Sequence, residues 1–231
     1  MMKKLAGIKI ISVDLFRTLV DIPPTPEFIW RLFLRNNYSA ALSREYWYRA
    51  DEILSKRWDD AGRGNGNFRN VRTVLEETCE QLFQEIQLAY DHKSAADSLM
   101  KRHTLDKLFP DAMPFLDAVS SKGKYKICLS TDCDVEMLSG LDGLHTFDQV
   151  FVSESLRLYK LNPEFFRRVL DHYGVTPENV LHIGDATADI LGPKQIGMLT
   201  CWLNRKNRKW DNQIPPDFEV KTLLDIMDIL I

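Results

Sequence analysis

The feature that most constrains this chain is a set of short apolar runs, each ending on a polar residue and separated from the next by helical patterning. GIKIISV at 7–13 runs into Asp14, and KICLS (126–130), QVFVS (149–153), NVLHIG (179–184) and MLTCWL (198–203) repeat the design. A strand covered on both faces reads as such a continuous run, not as an alternation. Helices are expected over 112–121 with Gly123 as a stop, over 163–173 with Gly174 as a stop, and over 189–195 before Gly197. The alternation predicts an α/β fold, a doubly wound parallel sheet of Rossmann-like type whose carboxyl strand ends form the binding crevice.

The first strand is far from the second. From Pro23-Pro24-Thr25-Pro26 to about Phe109 the apolar residues recur at helical spacing: Phe28 with Leu32, Ile29 with Phe33, then Trp47, Ala50, Leu54, Trp58, then Phe68, Val71, Leu75, Leu82. That stretch predicts a bundle of about four helices. The expected organisation is a split core, 1–20 plus 112–231, with a helical domain, 21–111, inserted after the first strand. With 231 residues, 45% of them hydrophobic, the chain can fill both parts. No internal repeat is visible, and the Gly-rich patch Ala61-Gly62-Arg63-Gly64-Asn65-Gly66 reads as a turn between lobe helices.

The net charge is −3, and Lys and Arg are interspersed with Asp and Glu. No basic stripe exists to hold a phosphate backbone, which argues against nucleic acid as a partner. The opening MMKKLAGIKI is basic and then apolar but shows no small-residue cleavage site, so neither a signal peptide nor a membrane span is expected. Cys79, Cys128, Cys133 and Cys201 form no Cys-x-x-Cys pair, the usage of free thiols in a reducing compartment. A cytoplasmic location follows as the default expectation.

Taken singly, the polar strand ends are ambiguous. Asp14 could cap a turn, Ser130-Thr131 the next helix, and Lys160 could be a solvated loop lysine. Gly184-Asp185-Ala186-Thr187-Ala188-Asp189 could be a turn and a cap. Together they fall on one edge, where open α/β sheets bind ligands.

Their order resembles the four-part signature of the haloacid dehalogenase superfamily: an apolar strand with Asp-x-x-x-Thr, a strand ending in Ser or Thr, a lone Lys, and Gly-Asp-x-x-x-Asp. The likeness extends through LFPDAMPFLDAVSSKGKYKICLS, FDQVFVSESLRLYKLNPEFF and HIGDATADILGPKQIGM. The inserted helical segment resembles the cap that members carry between the first two motifs.

The resemblance implies a hydrolase in which Asp14 attacks phosphorus, splitting one displacement into two through an aspartyl-phosphate. It implies Mg²⁺ held by Asp14, Asp185 and the main-chain carbonyl of Phe16, with Asp189 holding a metal-bound water or orienting Lys160. Thr18 steadies the first loop, and Ser130 and Lys160, with Thr131 beside them, meet the phosphoryl oxygens. The expected partner is a small phosphorylated molecule, because a closing cap excludes macromolecules.

The sequence departs from the pattern at Phe16, where the superfamily's phosphatases usually place a second Asp that protonates the leaving alkoxide. That acid is typically worth ~10² to 10⁴ in rate. An aromatic residue there resembles the 2-haloacid dehalogenases, which need no such acid. Glu45-Tyr46-Trp47-Tyr48-Arg49 has some likeness to the cap segment carrying their substrate-binding arginine, which makes Arg49 a second candidate substrate ligand. Against dehalogenation stand Asp185-Ala186, where those enzymes have Ser-Asn and no magnesium, and Phe166, where they have tyrosine. A weakly active relative that binds a phosphorylated ligand is a third reading. The substrate itself is not encoded in a readable motif, although Tyr46, Arg49, Arg63, Asn65 and Asn67 are polar candidates. Oligomeric state is likewise silent.

Overall fold

The computed structural model describes residues 5, 7–22, 26–62, 67–102, 107–121, 123–141 and 143–230. Arg63, Asn65, most of the Gly-rich patch and Pro23-Pro24-Thr25 lie outside them.

The sheet is built from β1 (Ile10–Val13), β4 (Lys126–Thr131), β5 (Gln149–Val152), β6 (Val180–Gly184), β7 (Leu199–Leu203) and β8 (Phe218–Val220), in the order β5-β4-β1-β6-β7-β8. Every neighbouring pair is parallel, and Val13 stands level with Leu129 of β4 and Ile183 of β6. β1 begins three residues later than the apolar run suggested, with Gly7 to Lys9 leading in.

The strand residues divide between two faces. Ile11, Val13, Ile127, Leu129, Leu181 and Ile183 pack against α5 (Ala112–Ser121) and α9 (Asp225–Ile229). Ile10, Cys128 and Val180 pack against Phe165, Phe166 and Val169 of α7 (Pro163–Tyr173). Helices on both faces confirm the doubly wound reading. α7 begins on Asn162, whose side chain accepts from the Glu164 N–H, and ends on Gly174 at φ 61°, the left-handed stop that glycine adopts without strain.

Between the first and second strands of the sheet lie α1 (Pro26–Leu34), α2 (Ala40–Gly62), α3 (Val71–Glu85) and α4 (His92–Arg102). Ile29, Trp30, Phe33, Ile53, Leu82 and Phe83 form a core belonging to these helices alone. Leu32, paired with Phe28 by spacing, is 43% exposed; the buried stripe of α1 runs through Ile29 and Phe33. The chain enters and leaves this lobe through a short ribbon that the sequence did not suggest, β2 (Val20–Asp21) antiparallel to β3 (Lys107–Leu108).

A second cluster joins lobe to sheet: Val71, Leu75 and Met100 meet Met137, Val152 and Tyr159. The same junction carries a polar clamp, since the first N–H groups of α3, at Val71 and Arg72, donate to the Asp134 carboxylate at 2.7 and 2.9 Å. A carboxylate at a helix N-terminus satisfies orphan donors and meets the positive end of the helix dipole. No helix among the described residues is long and apolar enough to cross a membrane, and all four cysteines are buried free thiols.

Candidate active site

Asp14 stands at the carboxyl end of the central strand, 5% exposed. The loop after it turns back at once: Leu19 and Val20 N–H groups donate to the Leu15 carbonyl at 2.8 and 2.9 Å, and Arg17 takes a left-handed φ of 63°. This tight turn brings Thr18 beneath Asp14, where its hydroxyl donates to Asp14 Oδ2 at 2.8 Å. Arg205 holds the turn from outside, donating to the Thr18 carbonyl at 2.8 Å and bidentately to Asp111.

Lys160 reaches the other carboxylate oxygen. Its ammonium, 3% exposed, lies 2.5 Å from Asp14 Oδ1 and 2.5 Å from Asp189 Oδ1. Asp189, wholly buried in the first turn of α8 (Ala188–Lys194), also accepts from the Ala186 N–H at 2.9 Å and lies 3.0 Å from His182 Nε2. Asp189 thus contacts the Lys160 ammonium directly. Asp185, 8% exposed, follows Gly184; its carboxylate accepts from Arg208 at 3.0 Å, and its carbonyl from Arg208 and the Trp202 indole at 2.7 and 3.0 Å.

Burial sets the electrostatics. Loss of water pushes Asp14 up to about 7, with the Lys160 ammonium pulling against it and the Asp189 charge adding to it. Burial alone would raise Asp189 too, but the Lys160 charge and the His182 hydrogen bond outweigh it and hold Asp189 well below the usual carboxylate range. Burial works to lower Lys160, and Asp14, Asp189 and Asp132 together override it, so the ammonium stays charged. Asp185 is raised by burial and by Asp189.

One carboxylate oxygen each from Asp14, Asp185 and Asp189 lies within 4.8 Å of the others. Three oxygen donors that close, with only one ammonium among them, fit a hard divalent cation better than a transition metal wanting nitrogen or sulfur. Phe16, also expected near the metal, lines the same cavity, its ring packed partly against the sheet core and partly against the lobe.

Two glycines permit this convergence. A Cβ on Gly184 would sit 2.2 Å from Asp189 Cγ, and one on Gly192 would sit 1.8 Å from the Lys160 carbonyl oxygen. The second obstacle is backbone and cannot step aside. Gly192→Ala is therefore expected to cost at least about 3 kcal/mol, the upper range for overpacking, and to displace Lys160. Urea unfolding checks the first effect; a variant with wild-type stability would show that α8 and the Lys160 loop yield easily.

The structure does not bring every expected residue to the cavity. Arg49 points away on the outside of α2, held bidentately by Glu85 at 2.7 and 3.0 Å and by Glu52 at 2.9 Å. Tyr46 packs its ring on Trp30, and Asn67 is exposed. Ser130 and Thr131 are wholly buried and absent from the described cavity wall. β4 runs one residue further than expected, so both stay within the strand and the next residue, Asp132, reaches the wall.

Asp132 was missed by the sequence reading. It accepts the Lys160 N–H at 2.9 Å, and burial pushes it up to about 6 against the pull of Lys160. Arg208 and His182 were also missed. Ser12 Oγ lies 2.8 Å from both Ser130 Oγ and His182 Nδ1. Burial pushes His182 towards its neutral form, against the pull of the Asp189 contact at Nε2. A polar residue inside an apolar strand was the available signal for His182; nothing local marked Arg208.

A family model described as haloacid dehalogenase-like hydrolase matches residues 8–197. The chain is similar to a phosphoserine phosphatase of Thermus thermophilus, 28% identical over 138 residues, covering 58% of this chain and 55% of that protein. It is similar to haloacetate dehalogenase H-2 of a Moraxella species, 28% identical over 163 residues, covering 68% and 70%. The match to the Thermus protein thus spans about half of its length. Among solved structures, the putative hydrolase YfnB of Bacillus subtilis, bound to magnesium, superposes with a TM-score of 0.78 at 21% identity, over 99% of both chains. The L-2-haloacid dehalogenase of Xanthobacter autotrophicus gives 0.75 at 20% identity, over 96% and 98%. At these identities the structural likeness speaks for the fold.

Proposed function

The chain belongs to the haloacid dehalogenase-like hydrolases, and on that premise we propose that it is a magnesium-dependent phosphohydrolase acting on a small phosphorylated molecule in the cytoplasm. The observation that carries this reading is the set of three carboxylates, Asp14, Asp185 and Asp189, around one buried ammonium. Bound there, Mg²⁺ would offset repulsion between the incoming phosphoryl group and the carboxylates. Asp14 and Asp185 would hold it directly, with the Phe16 carbonyl.

Asp14 attacks phosphorus through a carboxylate oxygen as the bond to the leaving oxygen breaks, and the leaving group departs with the electron pair. Water then cleaves the aspartyl-phosphate, releasing phosphate and restoring Asp14. Thr18 holds the Asp14 rotamer, and Lys160, oriented by Asp189, turns its remaining donor capacity to the phosphoryl oxygens as charge spreads. The lobe, residues 21–111, serves as a cap domain over the core of 1–20 and 112–231. Haloacid displacement has less support in this chain, because Arg49 is engaged by Glu85 and Asp185 occupies the site.

Asp185→Ala is expected to weaken Mg²⁺ binding on the order of 100-fold, since one of two direct carboxylates is lost. Titration calorimetry measures it, and unchanged affinity would move the metal elsewhere.

With Phe in place of the usual acid, the leaving group must depart as a stable anion. Acyl phosphates, anhydrides and aryl esters should therefore be preferred over sugar phosphates. Phe16→Asp should raise rates on alkyl phosphates by up to ~10² and flatten the plot of log rate against leaving-group pKa. Equal slopes would point to another proton donor, with Asp132 on the cavity wall the first suspect.

A further inference from the structure

The cavity above Asp14, about 990 Å³, has two chemically distinct ends. The floor carries Asp14 and Asp185 with Lys160 and Arg17. Towards the lobe the wall carries an apolar stretch, Leu54 and Trp58 of α2, Val71 and Leu75 of α3, and Phe16 and Tyr159 from the core side, with Ser55 of α2 beside it. The Trp58 and Tyr159 rings stand 5.3 Å apart at 55°, a tilted pair that already forms an aromatic edge. The charged groups that the described lobe residues add to the wall are both acidic, Asp51 and Asp59.

Resting on the phosphohydrolase reading and deepening it, we propose that the leaving group is an aromatic alcohol, so that the substrate class is aryl phosphate monoesters without a second anionic group. Two independent features converge on it. The apolar stretch supplies rings and branched aliphatic surface, which favour a flat apolar body. Asp51 and Asp59 repel a second phosphate or a carboxylate, and no lobe cation among the described lining residues compensates. Separately, Phe16 provides no proton, so the leaving oxygen must be stable as an anion. A phenol ionises near ~10, against ~16 for water, and alcohols lie close to water. Acyl phosphates satisfy the second condition but need no aromatic wall. Phenolates satisfy both.

The test compares 2-naphthyl phosphate, acetyl phosphate and glycerol phosphate with the Mg²⁺-loaded enzyme, alongside binding of 2-naphthol followed by protein fluorescence. The expected order in kcat/KM is naphthyl above acetyl above glycerol. Trp58→Ala should lower the ratio of naphthyl to acetyl phosphate kcat/KM on the order of 10- to 100-fold, and Trp58→Phe should recover part of it. Leu54→Lys, which places a charge in the wall without emptying it, should lower the same ratio and weaken naphthol binding, and so covers the case in which Trp58→Ala fails to fold. Hydrolysis of acetyl phosphate with naphthyl phosphate no better than glycerol phosphate overturns the proposal while leaving the phosphohydrolase reading intact. Turnover of none of the three overturns the phosphohydrolase reading. The naphthol measurement then still decides the pocket: weakened binding in both variants supports it, and unchanged binding refutes it.

Discussion

Replacing Lys160 with Met is expected to destabilise the protein by about 3 to 5 kcal/mol at neutral pH, the usual consequence of removing one partner from a buried ion pair. The reason lies in what remains. Asp14 and Asp189 both contact the ammonium at 2.5 Å, so its loss leaves two dry carboxylates facing each other with Asp185 close by. The pH dependence has a definite sign. Without Lys160, burial and mutual repulsion raise these acids above their unfolded values, so the penalty is absent where the unfolded carboxyls are protonated and grows as pH rises through the folded values. Urea unfolding of wild type and variant near pH ~5 and pH ~8 should therefore diverge at the higher pH. A difference below about 1 kcal/mol at both would mean that the cluster is already neutral or hydrated and that the ion pair is not holding the site together.

Asp14→Asn bears mainly on turnover. Turnover should fall by ~10⁴ or more, equivalent to over about 5 kcal/mol of transition-state stabilisation, because the amide is neither anionic nor nucleophilic. Stability should fall less than in Lys160→Met, because Asp189 still pairs the ammonium, although the amide can accept from only one of Thr18 and Lys160. Mass spectrometry of the quenched reaction should find a phosphoryl group on wild type at Asp14 and none on the variant. Activity within tenfold of wild type in a homogeneous preparation would exclude the covalent route.

How far the chain announces this site differs from residue to residue. Asp14, Asp185 and Asp189 were legible because each ends or follows an apolar run, and strand ends of a parallel sheet share one edge by construction. Lys160 was legible only through resemblance, since nothing local separates a buried lysine from a solvated one. Three helices of the core were read nearly to the residue, because Gly123, Gly174 and Gly197 mark their stops, while α9, with no such stop after it, was not anticipated. Ser130 and Asp132 show where that logic fails. One additional strand residue decides which side chain meets the cavity, and apolar patterning does not fix a boundary that closely. Arg49 and Arg208 fail for another reason: helix rotation and the path of a long loop depend on the whole tertiary packing. The β2–β3 ribbon, two residues on each side, is too short to leave a periodicity.

Beneath the site, Ser130, Ser12 and His182 link β4, β1 and β6: Ser12 stands level with His182, and Ser130 lies two residues beyond Cys128, the β4 residue level with Ser12. Asp189 and Lys160 continue the chain of contacts to Asp14. Strands covered by helices on both sides lack the inside–outside contrast that normally fixes how they align, so IISV could slide past its neighbours with little hydrophobic penalty. The polar ladder removes that freedom. A shift of β1 by one position would turn Ser12 towards the opposite helical layer and leave Ser130 and His182 without it in a dry interior, at a cost of about 1 to 3 kcal/mol per stranded group. The same contacts that hold the lysine therefore also act as an alignment key for the three central strands, and mutations that blunt it, such as Ser12→Ala with His182→Leu, should slow productive sheet assembly even where the final fold survives.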